Sequence, residues 1–394
     1  MPKKNGEHIL VTGCYRSGTT IVEKIINMHP KATIASQPFP ILFFIFKEQF
    51  NEIRGIKRRY PLDHLFLETN YKNQDFVKFI QEYSIDKKLL SEFQARMRDY
   101  TEGLWTPGII EVLDQLQPGT FFDIYKNLLH LIATMYSANE DNLVGSKEVL
   151  IEEYTPAMIE MGVKVIFVVR DPRDMITSLN FRIRDNRTGE NRPILYSLRA
   201  WRKSVAFAYA AATRKEGCLV RYEDLVSSQW NTINTITHYL GIEEFKDDAF
   251  DDGIVDQNGK GWKGNSSFTD QNGISGNSLH KYKKYLPQDI RKFIEVVCAP
   301  EMRLLGYISR ARIDEVDDVI ESYRDPFESS HSKFKQGYSH TQDRLKREKE
   351  RLILLKKGID DADKQRQWFI APEIYSAMSS MNGQNGNNTD KTDR

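Results

Sequence analysis

A chain of 394 residues is long enough for one large α/β domain with an extension, or for two modest domains. Its 56 basic and 55 acidic residues balance, which argues against a general nucleic-acid binder, since such proteins carry a basic excess. Three cysteines, Cys14, Cys218 and Cys298, make neither a CxxC pair nor a metal-ligand spacing, so a reducing compartment is expected and no metal site. The amino terminus has no signal-peptide pattern, and no apolar run approaches the ~18 residues of a membrane span. The expectation is a cytoplasmic protein without a transmembrane segment.

The first element is a strand, because Ile9, Leu10 and Val11 form a continuous apolar run. Gly13-Cys14-Tyr15-Arg16-Ser17-Gly18-Thr19-Thr20 follows, and Ile21, Val22, Ile25 and Ile26 then recur at helical spacing. A glycine-containing loop between strand and helix gathers backbone N–H groups at the positive end of the helix dipole, where phosphate or sulfate binds. Two glycines separated by four residues match a phosphate-binding loop, yet Thr19 stands where a nucleotide triphosphatase has its lysine. The cation of this loop is Arg16 instead. The competing reading is an ordinary glycine turn capped by Ser17, Thr19 or Thr20.

His29 and Pro30 end the first helix, and Ala32, Thr33, Ile34 and Ala35 read as a second strand. Ser36-Gln37-Pro38-Phe39-Pro40 then breaks regular structure. Residues 41–141 are mostly helical in pattern and rich in aromatics, with helices expected over 41–50, 76–83, 89–100 and 121–136. That is too long for a loop and reads as a helical insertion over the carboxyl edge of the sheet. Residues 142–148 form a strand ending in a charged pair, Lys147 and Glu148, which is either functional or a surface ion pair. Thr155 and Pro156 open a short helix that Gly162 ends.

Val165-Ile166-Phe167-Val168-Val169 is the most strand-like segment and runs into Arg170-Asp171-Pro172-Arg173-Asp174. Pro172 marks the first turn of a helix that carries Ser178, eight positions after Arg170. A long helix over 193–213 precedes the strand Cys218-Leu219-Val220-Arg221 and then Tyr222-Glu223-Asp224-Leu225, where the two acids read as helix caps. Residues 232–240 are helical, 247–277 are loop-like, and Leu286-Pro287 opens a helix that ends before Leu305. Beyond Ser309 come a strongly charged helix over 342–357 and a polar, Asn/Gly-rich stretch over 379–394 expected to be disordered. The division expected is an α/β domain over 1–309, including the 41–141 insertion, and a charged helical extension over 310–394.

Two anion-binding strand-to-helix junctions in one α/β chain imply a ligand with two separated anionic groups. The pair resembles the sulfotransferase superfamily. Arg16, Ser17, Gly18, Thr19 and Thr20 are similar to its 5′-phosphosulfate loop, and Arg170 with Ser178 to its 3′-phosphate motif. The resemblance implies a central parallel sheet with flanking helices, P-loop NTPase-like, and 3′-phosphoadenosine 5′-phosphosulfate as co-substrate without a metal. It further implies that Lys147, and Arg16 beside it, face the sulfuryl group in transfer, that Tyr222 and Trp262 flank the adenine, and that Lys263 and Gly264 belong to a late loop at the 3′-phosphate.

In the carbohydrate and tyrosylprotein sulfotransferases, which the loop and insertion resemble more than the phenol and steroid enzymes, a glutamate serves as base where Gln37 stands here. An amide takes no proton at neutral pH, so Gln37 is left to hydrogen-bond an acceptor hydroxyl. The base is then Glu148, a histidine such as His64, or an acid of the insertion. The implied acceptor is a saccharide or glycolipid hydroxyl. Animal Golgi members carry a membrane anchor, and the expectation here is a chain without one. The alternatives are a P-loop kinase or nucleotide triphosphatase, and a nucleotide-binding member without turnover. Oligomeric state stays open.

Overall fold

A computed structural model describes residues 8–56, 71–100, 106–139, 142–181, 191–255, 261–262, 276–309, 315–327 and 342–386. In chain order the first elements are β1 (His8–Thr12), α1 (Thr19–Asn27), β2 (Ala32–Ser36), α2 (Pro40–Ile53), α3 (Asn73–Glu82), β3 (Ser84–Ile85), α4 (Lys87–Asp99), β4 (Gly119–Thr120) and α5 (Phe121–Met135). Then come β5 (Leu143–Lys147), α6 (Thr155–Glu160), β6 (Lys164–Val169), α7 (Pro172–Asn180), α8 (Ile194–Thr213), β7 (Gly217–Arg221), α9 (Tyr222–Ser227) and α10 (Gln229–Leu240). The last are α11 (Tyr282–Tyr285), α12 (Gln288–Val297), α13 (Ala299–Leu304), α14 (Val316–Ser322), α15 (Gln342–Lys357), α16 (Ala362–Phe369) and α17 (Pro372–Gly386). The described residues fall into two units, one from 8–169 and 214–277, the other from 170–213 and 278–386.

The first unit is built on a parallel five-stranded sheet in the order β2-β5-β1-β6-β7. β1 is central, with Ile9 beside Gly145 of β5 and Lys164 of β6. Its apolar run needs no alternation because both faces are covered, and Ile9, Leu10 and Val11 are fully buried. Gly145 belongs to the same close approach: a Cβ there would come within 2.1 Å of the Ile9 carbonyl oxygen. α1 packs on β1, β2, β5 and β6, α5 on β5, α6 on β6, and α9 and α10 on β7. At the edge, Asn27 of α1 occupies β2 by bonding both the N–H and the C=O of Ile34, at 2.7 and 2.8 Å.

α2 to α5 form the insertion, with β3 and β4 as a small antiparallel pair, Ser84 opposite Thr120. Its aromatic residues make its core. Phe43 meets Tyr154 edge-on at 5.0 Å, Phe46 meets Phe121 at 5.4 Å, and Phe39 meets Tyr125 at 5.3 Å.

The second unit is helical. Asp171 caps α7 by accepting from the Arg173 N–H at 2.9 Å, next to Pro172 in the first turn. Glu348 of α15 is buried between Arg199 and Arg202 of α8, at 2.7 and 2.6 Å. Arg351 pairs with Glu301 of α13 at 2.7 Å. These buried pairs lie within the second unit, which holds the late helices together with α7 and α8. The polar stretch after 379 is not without structure throughout: α17 continues to Gly386, because its apolar start, with Ile374, Tyr375 and Met378 buried, anchors the helix.

Candidate functional site

The glycine loop leaves the carboxyl end of the central strand, where an open parallel sheet places ligands. Gly13 passes so close to β6 that a Cβ would meet the Val168 carbonyl oxygen at 2.3 Å. Arg16 takes the left-handed conformation at φ 64° and Gly18 at φ 99°. A side chain on Gly18 would also strike the ring of Tyr222, 2.4 Å from its Cδ2. Ser17 shapes the loop from inside, its hydroxyl donating to the Cys14 carbonyl at 2.5 Å and its N–H to the same oxygen at 3.3 Å. Ser17 is therefore turned inward, and the N–H groups aimed outward are those of the first turn of α1. The bond from the Val22 N–H to Gly18 O, 3.3 Å, leaves Thr19, Thr20 and Ile21 ahead of it without carbonyl partners in the helix. No acidic residue in that turn offsets the dipole.

The strand beside β1 supplies the next groups. Lys147 closes β5, and its carbonyl accepts from the Gln37 N–H at 2.7 Å while its Nζ donates to Gln37 Oε1 at 3.2 Å. Gln37 holds this double contact from a left-handed φ of 43°. Glu148 follows, its N–H donating to Val11 O at 3.0 Å and its carboxylate accepting from the Phe39 N–H at 3.4 Å. Lys147 and Glu148 are buried, so they are not a surface ion pair. Burial pushes the Glu148 carboxyl up to about 8, against the opposing pull of Lys147 and the Phe39 N–H. Burial likewise lowers the Lys147 ammonium, with the Glu23 and Glu148 carboxylates acting the other way.

Glu23 escaped the sequence reading. It is fully buried on α1, paired with Lys24 at 3.0 Å and bonded by Asn27 at 2.8 Å. Spacing places Glu23 off the apolar face of Ile21, Val22, Ile25 and Ile26, so its burial carries no sequence signal.

In the second unit Arg170 is buried and donates through Nη2 to Ser278 O at 2.6 Å, while its own carbonyl accepts from the Trp201 indole at 2.8 Å. Ser178 is half-buried on α7. The other charged residues of the motif hold the fold. Asp171 is clamped by the Arg173 guanidinium at 2.6 Å, which also reaches Glu295 at 2.6 Å. Asp174 accepts from the His280 and Tyr282 N–H groups at 2.7 and 2.9 Å. Asp171, which stands after the apolar strand where a Mg²⁺-dependent kinase has its aspartate, is engaged in the pair with Arg173. Lys263, Gly264 and His64 lie outside the described residues. Trp262 is described, its N–H bonded to Ile254 O at 2.7 Å. Among the described residues no group of three or more His, Cys, Asp or Glu gathers as metal ligands.

A parallel sheet whose central strand ends in a glycine loop at a bare helix N-terminus, with a buried lysine ending the adjacent strand, defines an α/β protein of the anion-binding loop class. Residues 8–247, more than half of the chain, match the family model described as the sulfotransferase family. The chain belongs to that family and is a sulfotransferase dependent on 3′-phosphoadenosine 5′-phosphosulfate.

Solved structures similar to it include the sulfotransferase domain of the olefin synthase of Synechococcus PCC 7002, at 17% identity and TM-score 0.42, over 73% of this chain and 91% of that one. The sulfotransferase domain from the curacin biosynthetic pathway is similar at 18% identity and TM-score 0.43, over 77% and 98%. Retinol dehydratase in complex with androsterone and the inactive cofactor PAP is similar at 13% identity and TM-score 0.35, over 79% and 83%. No curated protein matches the sequence.

Proposed function

We propose that the enzyme sulfates a hydroxyl of a saccharide or glycolipid, with Lys147 and Glu148 as the reacting pair and Gln37 as the acceptor's hydrogen-bond partner. The observation that carries this reading is the buried Lys147–Gln37–Glu148 group, an ammonium and a carboxyl of raised basicity fixed at the ends of β2 and β5. Sulfuryl transfer is an in-line displacement in which positioning and charge stabilisation do most of the catalysis, as in phosphoryl transfer. The N–H groups of Thr19 and Thr20, with Arg16 and Gly18, hold the 5′-phosphosulfate, and Tyr222 flanks the adenine. For the 3′-phosphate the proposed contacts are Arg170 and Ser178.

Lys147 meets the oxygen that keeps the electron pair as the old S–O bond breaks. Glu148 takes the proton of the acceptor hydroxyl as the new S–O bond forms, and a basicity near neutral pH suits that task. The saccharide assignment is supported by the arginine-type loop, the long helical insertion and Gln37 followed by Pro38. The test is a screen of saccharide, glycolipid, peptidyl-tyrosine and phenol acceptors with sulfur-labelled donor, read as label transferred to product. Transfer to phenols alone would overturn the acceptor assignment.

A further inference from the structure

Gln37 holds a conformation that needs support from outside. A residue other than glycine rarely takes a φ of 43°, and it stays there only where its surroundings fix it. The peptide that joins Ser36 to Gln37 is fixed at both ends. Its N–H, on Gln37, donates to the Lys147 carbonyl at 2.7 Å. Its carbonyl, on Ser36, accepts from the Thr106 hydroxyl at 2.9 Å. The first bond comes from the end of β5, the second from the helical insertion.

Thr106 is buried and directly precedes the 3₁₀ segment Pro107–Gln115. A threonine before a helix ordinarily turns its hydroxyl back to accept from the first turn. Here no such bond forms, and the hydroxyl reaches across to the end of β2 instead. The segment behind it is firmly seated. Ile109 and Leu113 are fully buried, and the Leu113 carbonyl accepts from the Gln94 side chain of α4 at 2.9 Å. β2 is an edge strand with β5 on one side only, and Ser36, beside Lys147, is its last residue. Thr106 thus ties the insertion to the point where β2 hands over to Gln37.

We infer that Thr106 is a positioning residue for the acceptor: its hydroxyl fixes the Ser36–Gln37 peptide, and through it the Gln37 side chain. The inference rests on the reading of Gln37 as the acceptor's hydrogen-bond partner, so its test includes a measurement that needs no turnover. In the full chain labelled with ¹⁵N-glutamine, the backbone resonance lost in Gln37→Ala identifies Gln37, and hydrogen exchange of its N–H is followed by NMR. Thr106→Val keeps the shape and removes the hydroxyl. It should speed that exchange by about tenfold or more, while Gln49 of α2 keeps its rate. Thr106→Ser, which keeps the hydroxyl, should stay near the wild-type rate.

The kinetic arm uses whichever of the saccharide, glycolipid, peptidyl-tyrosine and phenol acceptors takes most label in the screen above. Thr106→Val should raise the KM of that acceptor by about two- to tenfold, the range of one neutral hydrogen bond, with kcat and donor KM near wild type. In a Gln37→Ala background the same substitution should raise it no further, because its route runs through Gln37. Thr106→Ala supplies the same comparisons if Thr106→Val fails to fold. Unchanged exchange at Gln37 without the hydroxyl, an equal effect of Thr106→Ser, or a KM effect that adds fully to that of Gln37→Ala overturns the inference. Faster exchange with acceptor KM unmoved in both Thr106→Val and Gln37→Ala upholds the hold of Thr106 on Gln37 and overturns the reading of Gln37 as the acceptor's partner.

Discussion

Lys147 and Gln37 are joined twice, through backbone and side chain, and their substitutions separate chemistry from orientation. Lys147→Ala should cut kcat by ~10²–10³ while leaving donor affinity nearly unchanged, because the lost charge matters most in the transition state. Full turnover in that variant would reduce Lys147 to a buried structural cation. Gln37→Ala should chiefly raise the acceptor's KM. Glu148 adds a pH signature. As the base it must be ionised, so kcat should climb as pH rises through about 8, and Glu148→Gln should lose that limb with ~10²–10⁴ of the rate. Stability runs the opposite way. A carboxyl whose folded pKa is raised contributes stability that is full below its unfolded value of 4.5 and is lost as pH rises toward about 8, at up to about 1.4 kcal/mol per pH unit. Urea midpoints of Glu148→Gln should therefore gain on wild type across that window. A constant difference would contradict the raised carboxyl.

Among the elements, β5 carries Lys147 into place, and its fit depends on Gly145. Gly145→Ala sets a Cβ 2.1 Å from the Ile9 carbonyl oxygen, forcing β5 off β1 two residues before Lys147. A loss of ~1–3 kcal/mol or more is expected in denaturant unfolding, with reduced kcat in the protein that remains folded. Unaltered stability would mean that the strands yield without strain. The strands of this sheet were legible because burial on both faces makes them continuous apolar runs, as in Val165 to Val169. The insertion's helices were legible from period, 76–83 against Asn73–Glu82 for α3. β3 and β4 were not, since two residues carry no period. Within the site, the loop was read from glycine spacing, but the inward turn of Ser17 depends on loop geometry that spacing does not encode. The Gln37–Lys147 contact depends on the pairing of β2 with β5, in which Ser36 lies beside Lys147. Glu23 was passed over because a count of apolar positions ignores the two charged residues, Glu23 and Lys24, that stand between them.

At the scale of the whole molecule, each unit needs its own source of stability, and in the helical one a buried charge cluster stands where apolar packing would be ordinary. The helix over 342–357 reads from sequence only as strongly charged, since its partners lie far upstream in α8 and α13 and become visible only once the chain is folded. Arg199, Arg202 and Arg351 face Glu348 and Glu301, three guanidinium groups against two carboxylates. Burial alone would raise the pKa of Glu348, but the charges of Arg202, Arg199 and Arg351 outweigh it and hold the carboxyl well below the usual range. Replacing such a cluster with apolar residues is often neutral, whereas removing one member strands the others in a medium that cannot solvate them. Glu348→Ala should thus destabilise the protein by ~3–5 kcal/mol, a large part of the about 5–15 kcal/mol that a domain commonly has. The pH dependence follows from the depressed pKa: the contribution of Glu348 is full above its unfolded value of 4.5 and is lost as pH falls below it toward the folded value. Glu348→Gln, which keeps the shape but not the charge, should lose much of the same stability at neutral pH and show a shallower decline in acid. Denaturant unfolding of both variants between about pH 3 and pH 7 measures this. A loss under about 1 kcal/mol in Glu348→Ala would show that the three arginines find other partners, and that the late helices are held by their apolar contacts instead.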